Sequence, residues 1–174
     1  MNRLPSAALG LALFLACGPA APSDGMMEVE WAGADTAQIR APATALWCRE
    51  GNWLEVTGLL GDTGVGVVLY PDDSVRAGEY AVHDPTDSLG HGAAVALRWF
   101  GENAVYAFQS RSGSVSVAEE SDGTMRGRFD ARVVSVMRPE TLAVTGTFRH
   151  VPVVPGEAGC VAPVPRSVPD TSVD

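Results

Sequence analysis

Apolar and polar residues alternate along most of the chain in short runs, and Gly, Asp, Asn or Pro separates one run from the next. A period of two places successive side chains on opposite faces, so each run reads as a strand with one buried side. The pattern predicts strands over Met27–Ala32, Ala45–Arg49, Trp53–Leu60, Gly64–Tyr70, Gly78–His83, Ala93–Phe100, Asn103–Ser110, Ser112–Glu119, Gly123–Met137 and Thr141–Val151. From Met27 onward no useful length carries the helical period, which makes the domain all-β. Connections such as Gly61-Asp62-Thr63 and Gly101-Glu102 are too short for a parallel crossover, so sequence neighbours pair antiparallel. The expected architecture is a single antiparallel β-sandwich or flattened meander barrel of about eight to ten strands.

One phrase recurs. Leu142–Phe148 reads Leu-Ala-Val-Thr-Gly-Thr-Phe and Leu54–Leu60 reads Leu-Glu-Val-Thr-Gly-Leu-Leu, while Met125–Phe129 repeats the second half as Met-Arg-Gly-Arg-Phe. Gly inside a strand removes packing and adds unfolded-state entropy, so its return at one phase needs a cause. Two are available: a bend where a sheet curls, or an aromatic ring lying across bare backbone. On the strand after Asp122-Gly123, Met125, Gly127, Phe129, Ala131 and Val133 share one face, and Arg126, Arg128, Asp130 and Arg132 share the other. The first face is core; the arginine row is a solvated face or an anion platform.

The N-terminus predicts export. Arg3 forms a positive n-region, Ala7–Leu15 an apolar h-region, and Ala16 stands directly before Cys17. The segment is too short to span a bilayer. Phe14-Leu15-Ala16-Cys17 resembles the lipobox of bacterial lipoproteins, with Phe14 where Leu is usual, and the resemblance implies acylation of Cys17 after removal of residues 1–16. The alternative is cleavage near Ala20 or Ala21, where Pro19 and Pro22 are poor neighbours. Residues 17–26 then form a lipidated tether, residues 27–161 the β domain, and residues 162–174, rich in Pro, a disordered tail. Gly-Thr-Phe strands behind such a signal are similar in style to small β-sandwich lipoproteins of bacterial envelopes. That resemblance implies a lipid-anchored envelope address, outer membrane in the first instance.

Removing Cys17 leaves a pair, Cys48 and Cys160, and an oxidising compartment predicts that they bond. A loop that long stabilises by about 4 to 5 kcal/mol in the chain-entropy model. The chain carries a formal charge of −9, and loss of Arg3 takes it to −10, a balance that argues against nucleic acid. All 12 basic residues are Arg, which excludes lysine Schiff-base chemistry.

Candidate chemistry is sparse. His83, Asp84, Asp87 and His91 gather in the longest non-strand segment and are legitimate ligand types for a transition metal, but their spacing matches no motif and turn chemistry supplies them equally well. The acidic turns at Asp62, Asp72-Asp73 and Glu119–Asp122 lack the spacing of a calcium loop. There is no Gly-x-Ser-x-Gly elbow, and no constellation assigns a nucleophile and base. Neither a cofactor nor an enzymatic role is expected. Trp47 and Trp53 flank one turn, so their rings are candidates for a ligand-facing pair near a mouth. Two functions follow as expectations: a non-catalytic structural or interaction module engaging an envelope protein or wall polymer, or a carrier holding a small apolar ligand inside a curled sheet.

Overall fold

The computed structural model describes residues 25–33, 36–87, 90–156 and 160. Residues 1–24, with the expected signal segment, Cys17 and most of the expected tether, and residues 161–174, with the expected tail, lie outside the described residues, while Gly25 and Met26, expected in the tether, begin the first strand. Ten strands form one sheet: β1 (Gly25–Ala32), β2 (Thr36–Cys48), β3 (Trp53–Leu60), β4 (Thr63–Tyr70), β5 (Gly78–Val82), β6 (Gly92–Phe100), β7 (Val105–Glu119), β8 (Met125–Ser135), β9 (Thr141–Val151) and β10 (Val153–Pro155). Hydrogen bonding runs β1-β2-β3-β4-β6, then β7-β8-β9, and returns to β1. The ring therefore closes, and the domain is a barrel rather than a sandwich. A sandwich would leave two sheets with free edges; here β1 pairs β9 on one side and β2 on the other, so neither edge exists.

The meander is interrupted once. β6 and β7 pair directly from Ala96↔Gln109 to Phe100↔Val105, then part, and β5 enters the fork, antiparallel to β7 and joined to β6 by the parallel bridge Val82↔Ala93. One end of the barrel thus has eight strands around it and the other nine. We call the end carrying the start of β1 and the β2–β3 turn the near end, and the opposite one the far end.

Beyond shifts of one or two residues at strand ends, three elements differ from the pattern-based expectation. β2 begins at Thr36 rather than Ala45, because its first half, Ala-rich and interrupted by Pro42, still alternates: Ala41, Ala43 and Ala45 point inward and are buried. Pro42 falls just before the β2–β3 ladder starts at Ala43↔Gly58, so its missing N–H breaks no rung there. β7 is one strand through Arg111, where a bulge between Ser110 and Ser112 moves the inward phase from even to odd positions. β10 adds a short parallel pairing to β2 that no hairpin logic foresees.

The interior is filled. Met27, Leu54, Leu69, Leu97, Leu142 and Phe148 are fully buried and meet across the lumen. A barrel of this strand number is just wide enough for side chains to fill it. The recurring Gly is explained by rings. Gly127 and Gly146 face inward on adjacent strands, where a Cβ at Gly127 would overlap the Phe148 ring and one at Gly146 the Phe129 ring. The register pairs Gly127 with Phe148 and Phe129 with Gly146, so each ring covers its partner's bare backbone. At Gly58 the role passes to Met27, whose Sδ would be 2.9 Å from a Cβ. Gly146→Ala is expected to destabilise by about 1–3 kcal/mol through overpacking, and Phe129→Leu in the same chain to recover part of that loss. Chemical denaturation of the two single variants and the double variant checks it; additive losses would show that ring and glycine do not interlock.

Candidate functional site

The fork between β6 and β7 holds the most buried polar chemistry. Ser110 sits where the two strands part and is fully buried. Its hydroxyl accepts from the Val95 amide at 3.1 Å and donates to the His83 carbonyl at 2.7 Å, replacing ladder bonds that the split removes. One residue on, at the bulge, Arg111 points outward, and its guanidinium bonds the buried carboxylate of Asp84. The other Asp84 oxygen accepts from the Thr86 amide at 2.9 Å and the Thr86 hydroxyl at 2.7 Å. Just beyond the bulge Gly113 adopts φ +139°, and a Cβ there would collide with the Asp130 carbonyl.

This arrangement disperses the four residues singled out as metal ligands. Asp84 is held by Arg111 and Thr86. His83 packs over Gly92, and His91 stacks on Tyr80 at 4.8 Å with Asp72 3.6 Å away. The space bordered by His83, Asp84 and Asp87 is about 10 Å³, at the lower bound for a single water. Among the described residues no group of three or more His, Cys, Asp or Glu converges on a point. The acidic turns are hairpin and loop chemistry: Asp73 pairs Arg76 at 3.7 Å, and Asp122 accepts from the Thr124 hydroxyl at 2.6 Å, which holds its carboxyl below the ordinary range.

Cys48 and Cys160 are bonded, with Cα atoms 5.8 Å apart. Trp47 and Trp53 are not together. The register pairs Trp47 with Leu54 and Cys48 with Trp53, so Trp47 shares the inward face while Trp53 shares the outer face with Cys48. Two strands joined by a turn place opposed residues on one face, and Trp47 and Trp53 are one position out of register with each other. Trp53 is buried, and its indole N–H has no partner among the described residues. Trp47 lines an apolar depression of about 600 Å³ at the near end, with Leu54, Val75, Val117 and Met125.

The far end is different in kind. Trp99 stacks on Trp31 at 5.7 Å, on Tyr106 at 5.0 Å and on Phe108 at 5.2 Å. β1 has no hydrogen bonds to β6, so the Trp31–Trp99 contact spans the lumen and plugs it. The Arg138 guanidinium lies 4.5 Å over the Tyr106 ring. Around this plug the rim exposes Leu59, Leu60, Phe100, Val105, Val136 and Met137, the last 76% accessible. They are neighbours through the ladder: Leu60 opposes Thr63, Thr63 opposes Trp99, Phe100 opposes Val105, and the Val136 amide donates to Ala107. The sequence carried a signal for this rim in Leu59-Leu60, Trp99-Phe100 and Val136-Met137, where alternation gives way to consecutive apolar residues at strand ends.

No protein-family model, curated protein or solved structure matches the chain.

Two consequences of the fork are measurable. Ser110→Ala leaves a buried amide and a buried carbonyl without their partner, and the expected loss is about 1–3 kcal/mol in denaturant unfolding; a change within a few tenths would remove Ser110 from the fork's support. Burial acts to raise the Asp84 pKa, but the Thr86 bonds and the Arg111 charge outweigh it and hold the carboxyl below its ordinary value. A lowered folded pKa contributes stability that is complete above the unfolded value of about 3.9 and is lost as pH falls through the folded one. Stability curves of the parent chain and Asp84→Asn should therefore be separated at neutral pH and converge below about pH 4. A separation independent of pH would contradict this.

Proposed function

We propose that the chain is an envelope-anchored lipoprotein whose barrel is a non-catalytic interaction module, gripping a partner protein through the apolar rim at its far end. The rim carries the reading: six large apolar side chains stay exposed at one end of the barrel while the lumen beneath them is packed. Exposed apolar area in one patch on an otherwise charged surface marks an interaction site. Orientation supports it. The described chain starts at Gly25, at the near end, so an acyl group on Cys17 would hold that end toward the lipid and turn the rim away from it. Phe100 and the Tyr106 plug, each with an arginine over the ring, supply the anchor type that dominates interface energetics.

The carrier reading has one observation in its favour, the depression containing Trp47 at the near end. A cargo inside the curled sheet would have to displace the interlocked Phe129 and Phe148 rings, so any ligand belongs at that mouth instead. Native mass spectrometry of the gently purified chain separates the two: an added mass lost in Trp47→Ala supports a carrier.

Photocrosslinkers placed in cells at positions 60 and 137 are expected to capture one discrete protein adduct that Phe100→Glu abolishes, while a crosslinker at position 76, on the near end, captures none. Adducts to lipid alone, or equal capture from both ends, would overturn the rim as a protein-docking surface. Cys17→Ser is expected to release the chain from the membrane fraction and abolish labelling with a fatty-acid analogue; retention of both would remove the anchor.

A further inference from the structure

The arginines are not evenly spread. Arg40, Arg126, Arg128, Arg132 and Arg149 all point outward from one wall of the barrel, built by β2, β1, β9 and β8. The same wall carries three carboxylates, Glu28, Glu30 and Asp130, so it is locally basic on a chain of formal charge −9. Glu28 is shared, with Arg40 at 3.4 Å and Arg149 at 3.3 Å. Arg126, Arg128 and Arg132 have no carboxylate partner among the described residues.

The wall is also hollow. Thr145 and Thr147 on β9 are short and exposed, and they lie between charged side chains: Glu28 and Glu30 on β1, and Arg128 and Asp130 on β8. Short residues on the central strand, with Glu28, Glu30 and Arg128 standing higher beside them, make a trench along β9. It holds two adjoining depressions of about 850 and 570 Å³, which share Glu28, Arg128 and Thr147. Its chemistry is mixed: guanidinium groups that bind anions, carboxylates that accept hydroxyl protons, and threonine hydroxyls that do either.

We propose that this trench binds a linear acidic polysaccharide. Sugar carboxylates or phosphates would be met by Arg128 with Arg126 or Arg40, and sugar hydroxyls by Glu30, Asp130 and the threonine floor. The alternation of charge selects for this class. A uniformly charged polyanion would bring negative groups against Glu30 and Asp130, whereas a glycan places neutral hydroxyls between its charges. The elongated shape, open at the side of the barrel rather than at a mouth, suits a chain that passes through. The proposal does not depend on the anchor or on the apolar rim.

The test is calorimetric titration of the full chain at low ionic strength with three probes: an oligogalacturonate, a neutral malto-oligosaccharide of equal length, and inorganic phosphate. The acidic oligosaccharide is expected to bind and the neutral one to give no signal. Arg128→Gln should weaken binding about tenfold, as loss of one charge-assisted contact predicts. Glu28→Gln should strengthen it, because it frees Arg40 and Arg149. Thr147→Val should weaken it with charge unchanged, and Arg76→Gln, away from the trench, should leave it as it was. All these side chains are exposed, and circular dichroism confirms the fold of each variant. Absence of binding, indifference to Arg128→Gln, or displacement of the oligosaccharide by an equal concentration of phosphate would overturn the proposal, the last by assigning a simple anion site.

Discussion

Two rings and two missing side chains set the dimensions of this barrel. Phe129 lies over Gly146 and Phe148 over Gly127, on strands that are hydrogen-bonded neighbours. A ring needs more lumen than a small barrel offers, and a glycine opposite supplies the space without loosening the ladder. The same exchange recurs where Met27 meets Gly58 and where Ala41 opposes Met27 and Ala45 opposes Val56. Close packing constrains volume: at these positions a large inward residue is matched by a small one.

Closure creates the second problem, which β5 solves. Strands twist and tilt as they close, and here β6 and β7 part before they reach the near end. The gap takes β5, and the backbone groups at the fork are satisfied by one serine hydroxyl. The bulge at Arg111 then re-phases β7, keeping Val115 and Val117 inward while turning a guanidinium toward Asp84. The bulge therefore continues the core, and Arg111 staples the loop between β5 and β6 to the outside of the wall.

With the lumen occupied, every surface that could recognise a partner is external, and the three that stand out differ in chemistry. The far rim is apolar around an aromatic plug. The near mouth is a smaller apolar depression with Trp47. The β9 trench is polar and locally basic. Separate chemistries on separate faces are compatible with the attachment role we propose.

By itself the sequence determined the class of fold and most strand positions, because a period of two is a local property that a half-buried wall imposes on each strand independently. It also paired Cys48 with Cys160, since only two cysteines remain once Cys17 is set aside, and it marked Gly127 and Gly146 as positions needing a cause. Tertiary structure decided what depends on distant partners. Ring closure required β1 to find β9. The start of β2 hid in alanines whose inward role is visible only opposite Met27 and the rings. Of the weak metal-ligand candidates, Asp84 is taken by Arg111 and Thr86 and His91 stacks on Tyr80, partners that are distant in sequence or set by the loop. Trp47 and Trp53, close in sequence, were sent to opposite faces by register, and arginines from four strands were gathered on one wall by pairing. Local alternation says which side of a strand is wet; only the closed ladder says which wet sides become neighbours.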